Sequence, residues 1–174
     1  MQKLLIDRFG KVIDNIAMPE SVRQVSIVLL LKDKNILLAM KKRGFGQGLW
    51  NGVGGKSDSG ETIEMTAVRE CQEEIGVTPV KLTRVAILNF YSPPPEDKNN
   101  QQAYVFISEH WEGEPTESEE MSPQWFTFDS IPYSRMWPGD KHWLPLVLDG
   151  KKLDADFTFD NDNRLLGYEI RDLN

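Results

Sequence analysis

Three glutamates, Glu70, Glu73 and Glu74, stand within five consecutive positions, directly ahead of Ile75 and Gly76. On a helix, residues i, i+3 and i+4 are neighbours, and at 100° per residue these three span a sector of roughly 100°. Carboxylates that close raise one another's pKa unless a cation stands among them. Oxygen-only ligands of this kind suit a hard divalent ion such as Mg²⁺ or Mn²⁺. On spacing alone, a solvated acidic helix face accounts for the pattern about equally well. The glycine-rich stretch Gly52–Gly55 just upstream shifts that balance. Backbone without side chains lets a main-chain carbonyl join a metal shell, or lets amides approach a phosphate. Glu61 and Arg69, about two helical turns apart, are placed to pin this loop to the helix, which is a structural part.

Such a cluster needs a helix and a platform beneath it. Gly60-Glu61-Thr62 starts a helix that runs to about Ile75 and is stopped by Gly76. Val68, Cys71 and Ile75 centre roughly 130° from the glutamates, so that side packs on a sheet. Cys71 serves there as a small apolar filler rather than a reactive thiol. The β-branched, apolar run Val22–Leu31 suits a buried strand, Asp33-Lys34-Asn35 a turn and "ILLAM" the returning strand. "KKRGFGQGLWNGVGGK" is irregular, with its backbone close to something. Strand-like runs recur at Leu82–Tyr91, Ala103–Ser108 and Gln124–Phe128. "SPPPEDKNNQ" between the first two has the composition of a mobile loop. "DKHWLPLVLDG" reads as a second, shorter helix despite Pro145, and the chain closes on a hairpin turning at Asp160–Asn163. Mixed strands with two helices predict an α/β or α+β single domain. That domain spans residues 22–174, behind an N-terminal arm of residues 1–21.

The totals narrow the class. The chain has 174 residues, 40% apolar and 27% charged, which is ample for one core. A net charge of −7 argues against stable nucleic-acid binding and against a membrane-surface binder. It leaves a phosphate substrate open, because a metal ion can carry the positive charge locally. One cysteine excludes an internal disulfide, and Asp7 and Arg8 interrupt the opening apolar run, so no signal peptide is read. No stretch of about 18 apolar residues exists. These features predict a soluble, cytoplasmic monomer. His110 and His142 lack metal-ligand spacing and read as structural or surface residues.

Gly55, five residues, Glu61, seven residues, then Arg69-Glu70-Cys71-Gln72-Glu73-Glu74-Ile75-Gly76-Val77 is identified as a Nudix box. The chain therefore resembles the Nudix hydrolases. The resemblance implies a Nudix fold, a mixed β-sheet sandwiched between helices, and cleavage of a nucleoside diphosphate linked to another group. It implies that Glu70, Glu73 and Glu74 hold Mg²⁺, or Mn²⁺ in its place, with Gly55 near the metal through its backbone. Glu120, in "ESEEM", approaches the same ion in similar members, as ligand or as activator of water. Which of Glu70, Glu74 and Glu120 takes the water's proton is left open. Glu117 and Glu119 read as solvent-facing rim.

Outside the box, "MKKRGFGQGLWNGVGGK" and "ESEEMSPQWFTFDSIPYSRMWPGDKHWLPLVL" resemble members of the family that act on oxidised purine nucleoside triphosphates. This resemblance runs over residues 23–172. It implies Mg²⁺-dependent hydrolysis of substrates such as 8-oxo-dGTP or 2-hydroxy-dATP to the monophosphate and pyrophosphate, which would clear the nucleotide pool. The side chains agree with a purine pocket. Trp137 offers a flat face, Asn51 and Asp140 can hydrogen-bond a base edge, and Phe45, Phe90 and Met121 supply apolar walls. Lys41 meets the base or a phosphate. Plainer readings exist: a rim anchor for Trp137, a turn residue for Asn51, core for the two phenylalanines and solvent for Lys41. This chain also departs from those members. Gly139 replaces the first of two aspartates after Trp-Pro, Ser92 stands at an aromatic position, and the Ser92–Gln102 loop is about two residues longer. A Nudix pyrophosphatase for another nucleotide, such as a methylated purine triphosphate or a dinucleoside polyphosphate, is the alternative. A non-catalytic nucleotide sensor is a further one, against which the full glutamate set argues.

Overall fold

The computed structural model describes residues 22–92 and 100–173, with the backbone pairing of Leu5–Ile6 (β1) and Val12–Ile13 (β2). Strands β3 (Arg23–Lys32) and β4 (Asn35–Lys41) form the expected hairpin. Asp33 and Lys34 take φ of 52° and 61°, which is what a two-residue hairpin turn matched to strand twist requires. The Asn35 side chain donates to the carbonyls of Lys32 and Asp33 at 3.2 and 3.0 Å and fixes the turn.

Side chains alternate across a strand, and here both faces are covered. Val28 and Leu30 of β3 join Leu37 and Ala39 of β4 on one face, while Leu29 joins Ile36 and Leu38 on the other. That double burial is why the β3 sequence is a continuous apolar run rather than an alternating one. The sheet order is β10 (Met121–Thr127), β4, β3, β8 (Gln101–Ser108), β7 (Thr83–Tyr91), β11 (Leu153–Phe159), β12 (Leu165–Asp172), with β5 (Trp50–Asn51) also paired to β4. β3 runs parallel to β8 and β7 parallel to β11, and the other neighbours are antiparallel. A short ladder of β6 (Thr78–Pro79) and β9 (Trp111–Glu112) stands apart from it.

Helix α1 (Ile63–Ile75) packs Ala67, Cys71 and Ile75 on the face with Val28, Leu37 and Phe106. Helix α2 (Asp140–Leu148) packs Trp143, Leu144 and Val147 on the face with Leu29, Leu88 and Phe157. The result is a single domain in which a mixed sheet lies between helices. The Thr62 hydroxyl caps the start of α1 by accepting from Met65 N at 3.2 Å, and Gly76, at φ 73°, closes its end by donating to Gln72. No helix among the described residues is long and apolar enough to cross a membrane.

Two expectations change in detail. The strand predicted at Gln124–Phe128 begins at Met121 and stops at Thr127, because Phe128–Ser130 turns into one 3-10 turn. The closing hairpin is part of the main sheet, since β11 pairs with β7 as well as with β12. Residues 93–99 of the predicted mobile loop lie outside the described residues, but its two ends are tied where Ser92 N donates to Asn100 Oδ1 at 2.7 Å.

Candidate active site

Residues Val53–Lys56 run along the start of β3. Val53 and Lys56 bridge to Val28 and Val25, and Ser26 N donates to the Gly55 carbonyl at 2.8 Å. This backbone lies so close that a Cβ on Gly54 would strike the Ser26 carbonyl oxygen. A Cβ on Gly55 would fall 2.5 Å from a Glu70 carboxylate oxygen. Gly55 is therefore glycine because a carboxylate lies against it. Gly54 N in turn donates to Glu74 Oε2 at 3.1 Å. Glu70 and Glu74 thus both meet the Gly54–Gly55 backbone. Glu73 goes the other way, 61% exposed, 3.2 Å from Arg69. The buried stripe of α1 also differs from the even apolar side expected: it runs Thr66, Ala67, Cys71, Glu74, Ile75, with Val68 only half-buried.

Arg69 ties loop to helix. Its guanidinium meets Glu61 at 2.7 and 2.9 Å, Glu70 at 2.8 Å and the Lys56 carbonyl at 3.1 Å. Glu61 also accepts from Asp58 N and from the Thr66 hydroxyl, both at 3.0 Å. The Arg69 hydrogen bond, then the Asp58 amide, hold the Glu61 carboxyl down at about 2. Burial acts in the opposite sense nearby. It raises Glu70, with Arg69 opposing, and pushes Glu74 up to about 7 against the Gly54 amide and Lys41. Glu70 and Glu120 add to the rise at Glu74, so Lys41, Glu70, Glu74 and Glu120 share one electrostatic field. Burial also drives the Cys71 thiol to about 12, which keeps it protonated and inert.

Arg43, which sequence reasoning passed over, donates to Glu120 Oε1 at 2.5 Å and holds that carboxyl below its ordinary range. Lys42 meets Glu117 at 2.6 Å and the Ser118 carbonyl at 2.8 Å. The signal was legible: the cationic run Lys41-Lys42-Arg43 opposes the acidic run Glu117–Glu120. Among the described residues no three His, Cys, Asp or Glu side chains stand together as a ready metal cage. Arg69 takes up Glu70 and Glu73, and Arg43 takes up Glu120. The donor chemistry still fits a hard divalent ion. The groups are all carboxylate oxygens, and Glu74, 5% exposed, has no arginine of its own among them.

The predicted base-pocket residues divide. Phe45, 65% exposed, stacks on Trp137 with ring centroids 5.0 Å apart. Asp140, the first residue of α2, accepts from Trp137 N at 3.2 Å and Trp143 Nε1 at 3.0 Å. Burial raises its carboxyl to about 7 despite those two donors. Phe90 stacks on Phe157 at 5.7 Å, and Phe157 lies where a Cβ on Gly139 would come within 3.0 Å of its ring. Trp137, Gly139, Asp140, Phe157 and Phe90 are thereby linked in one run. Asn51 donates its side-chain amide to the Leu49 carbonyl at 3.0 Å, as a turn residue would. Met121 is 3% exposed in the α1-side core, so it offers almost no free surface as a pocket wall. His142 stacks on Tyr168 at 4.2 Å.

This chain, a mixed sheet between two helices with paired carboxylates against a glycine backbone, matches the NUDIX domain over residues 20–147 and belongs to the Nudix family. It is a hydrolase of that family, whose members generally require a divalent metal. It is 44% identical over 152 residues to the oxidized purine nucleoside triphosphate hydrolase of Mus musculus, covering 87% of this chain and 96% of that protein. The protein of that name from Danio rerio is 40% identical over 146 residues, covering 84% and 92%. Among solved structures, a MutT protein from Bacillus halodurans superposes with a TM-score of 0.76 at 27% identity, over 86% of this chain and 97% of that one.

Proposed function

We propose that the protein hydrolyses oxidised purine nucleoside triphosphates to the monophosphate and pyrophosphate, as a cytoplasmic monomer without stable nucleic-acid binding. Residues 22–174 act as the catalytic unit and residues 1–21 as an appended arm. The observation that carries the reading is Glu74, a buried carboxylate raised to about 7 and held against the Gly54 amide beside Glu70. Glu74, with Glu70, Glu73 and Glu120 once they leave their arginines, would hold Mg²⁺ or Mn²⁺, with Gly55 near the ion through its backbone. When bound, that ion supplies charge neutralisation at the phosphates and a more acidic water. Glu70, Glu74 and Glu120 are the candidates to accept the water's proton. Lys41, in the same field, neutralises phosphate charge. Arg69 and Glu61 keep the loop on the helix so that in-line geometry is fixed before the substrate arrives. Trp137 and Phe45 stack the base, Asp140 and Asn51 meet its edge, and Phe90 backs the pocket.

A second reading keeps the chemistry and changes the base. Gly139 carries no side chain toward the pocket, and Phe157 fills the space behind it. A methylated purine triphosphate or a dinucleoside polyphosphate suits that less polar wall. Chromatographic resolution of the nucleotide products from a panel of normal, oxidised and methylated triphosphates and dinucleoside polyphosphates, with and without Mg²⁺, tests both. The expected result is Mg²⁺-dependent turnover greatest on an oxidised purine. Turnover confined to dinucleoside polyphosphates removes the first reading.

A further inference from the structure

A cavity of about 720 Å³ opens at the other end of β3, between the β3–β4 turn, the 109–115 segment and β10. It is remote from the carboxylates. Ser26, bonded to Gly55, and Leu31, which lines the cavity, are five residues apart on one strand, about 17 Å. Trp111 and Trp125 line it with near-parallel rings, 5.8 Å between centroids and 29° between planes. Trp125 is 37% exposed and neighbouring Val80 64% exposed, so water is left against large apolar surface.

The charge around these rings is predominantly negative. Asp33, Glu109 and Glu114 line the cavity against a single ammonium, Lys32, with His110 beside them. The C-terminus of α1 adds to this. Gly113 lies so close to it that a Cβ there would come within 2.8 Å of the Gly76 carbonyl, and the last turn of α1 holds no basic residue. The C-terminal end of α1 therefore lies next to the segment that lines the cavity, with no basic residue in its last turn. Paired tryptophan faces within a carboxylate rim are the surroundings that a guanidinium or ammonium group prefers. β10, which carries Trp125, ends the sheet and, among the described residues, leaves one edge for a peptide backbone.

We infer that this cavity binds an arginine or lysine side chain of a basic peptide segment in a partner protein. The probe is the peptide acetyl-Ala-Arg-Val-Ala-amide, followed through the ¹⁵N indole signals of the intact protein. The signals of Trp111 and Trp125 should shift saturably. The same peptide with neutral citrulline in place of arginine should bind about tenfold more weakly, a gap that narrows as salt is added. Trp125→Ala should weaken the arginine peptide about tenfold, while nucleotide hydrolysis stays at the wild-type rate. Glu114→Gln, which leaves the tryptophans in place, should weaken it by a smaller factor. Equal binding of the two peptides overturns the proposal, as does an unmoved Trp125→Ala affinity. Arginine amide binding as tightly as the peptide would make the ligand a free cation. Indole shifts with protein concentration alone would make the occupant a second copy of this chain.

Discussion

Glu61 and Glu74 sit about three and a half turns apart in sequence terms, on the same loop-and-helix unit, and titrate in opposite directions. Glu61 is met by Arg69 and two further donors and falls to about 2, so its charge is satisfied by the fold. Glu74 is buried with one amide and a distant lysine and rises to about 7, so its charge is left for something outside the fold. The first pattern is that of a stabilising knot, the second that of a binding group.

Glu74→Gln breaks the second half of that contrast most severely. Divalent-dependent turnover should fall by about a hundredfold or more, the scale of losing one charge-stabilising group in an active site. Without divalent ions the same change should improve stability at neutral pH. A folded-state carboxyl raised from 4.5 to about 7 holds its proton longer than the unfolded one. Its contribution is therefore greatest below about pH 4.5 and declines as pH rises to about 7, by about 3 kcal/mol. Thermal melts across pH 4 to 8 check this. The slope should shrink in Glu74→Gln rather than vanish, because buried Asp140 titrates in the same window. Wild-type turnover in the variant would return Glu74 to an ordinary buried acid.

Arg69→Ala tests the knot. It leaves Glu61 and Glu70 without their guanidinium, and the melting temperature should drop by several degrees at pH 7. The sign with pH is opposite to that of Glu74. The Glu61 contribution is present above about 4.5 and is lost as pH falls toward 2. Glu61→Gln should accordingly lower stability at neutral pH and flatten the acid limb of the curve, with the slope above about pH 4.5 unchanged.

The sequence makes the knot and the cluster legible to different degrees. Glu61, Arg69 and the three glutamates stand at fixed helical spacing, and the caps Thr62 and Gly76 mark the helix within a residue or two. Helical geometry alone, however, gives Glu73 and Glu74 equal standing. What separates them is the distance of the Gly54 backbone, which depends on how Val53–Lys56 docks on β3. The apolar run of β3 announced a buried strand, and the structure adds that both of its faces are covered. The parallel pairing of β11 with β7 is a long-range contact that no local pattern encodes. The contact of Gly139 with Phe157 is of the same kind.

That contact yields a smaller effect with a built-in control. In Gly139→Ala the new methyl lies 3.0 Å from the Phe157 ring, which must give by a few tenths of an ångström, so stability should fall by no more than about 1 kcal/mol. Phe157→Leu should relieve part of this in the double variant, and a strictly additive pair would dissolve the coupling. Gly139→Asp asks in addition whether a carboxylate at this position alters the preference among purines.

The smallest expected effect concerns Phe45. Its ring is 65% exposed, so Phe45→Ala should leave the melting temperature within about a degree. It nonetheless stacks on Trp137, with ring centroids 5.0 Å apart. If the two rings together receive a base, KM should rise by about two- to tenfold with kcat unchanged. A KM that falls instead would mean that Phe45 covers the tryptophan and competes with the base for it. In that case the contrast between satisfied and waiting groups extends from the carboxylates to the aromatic side of the site.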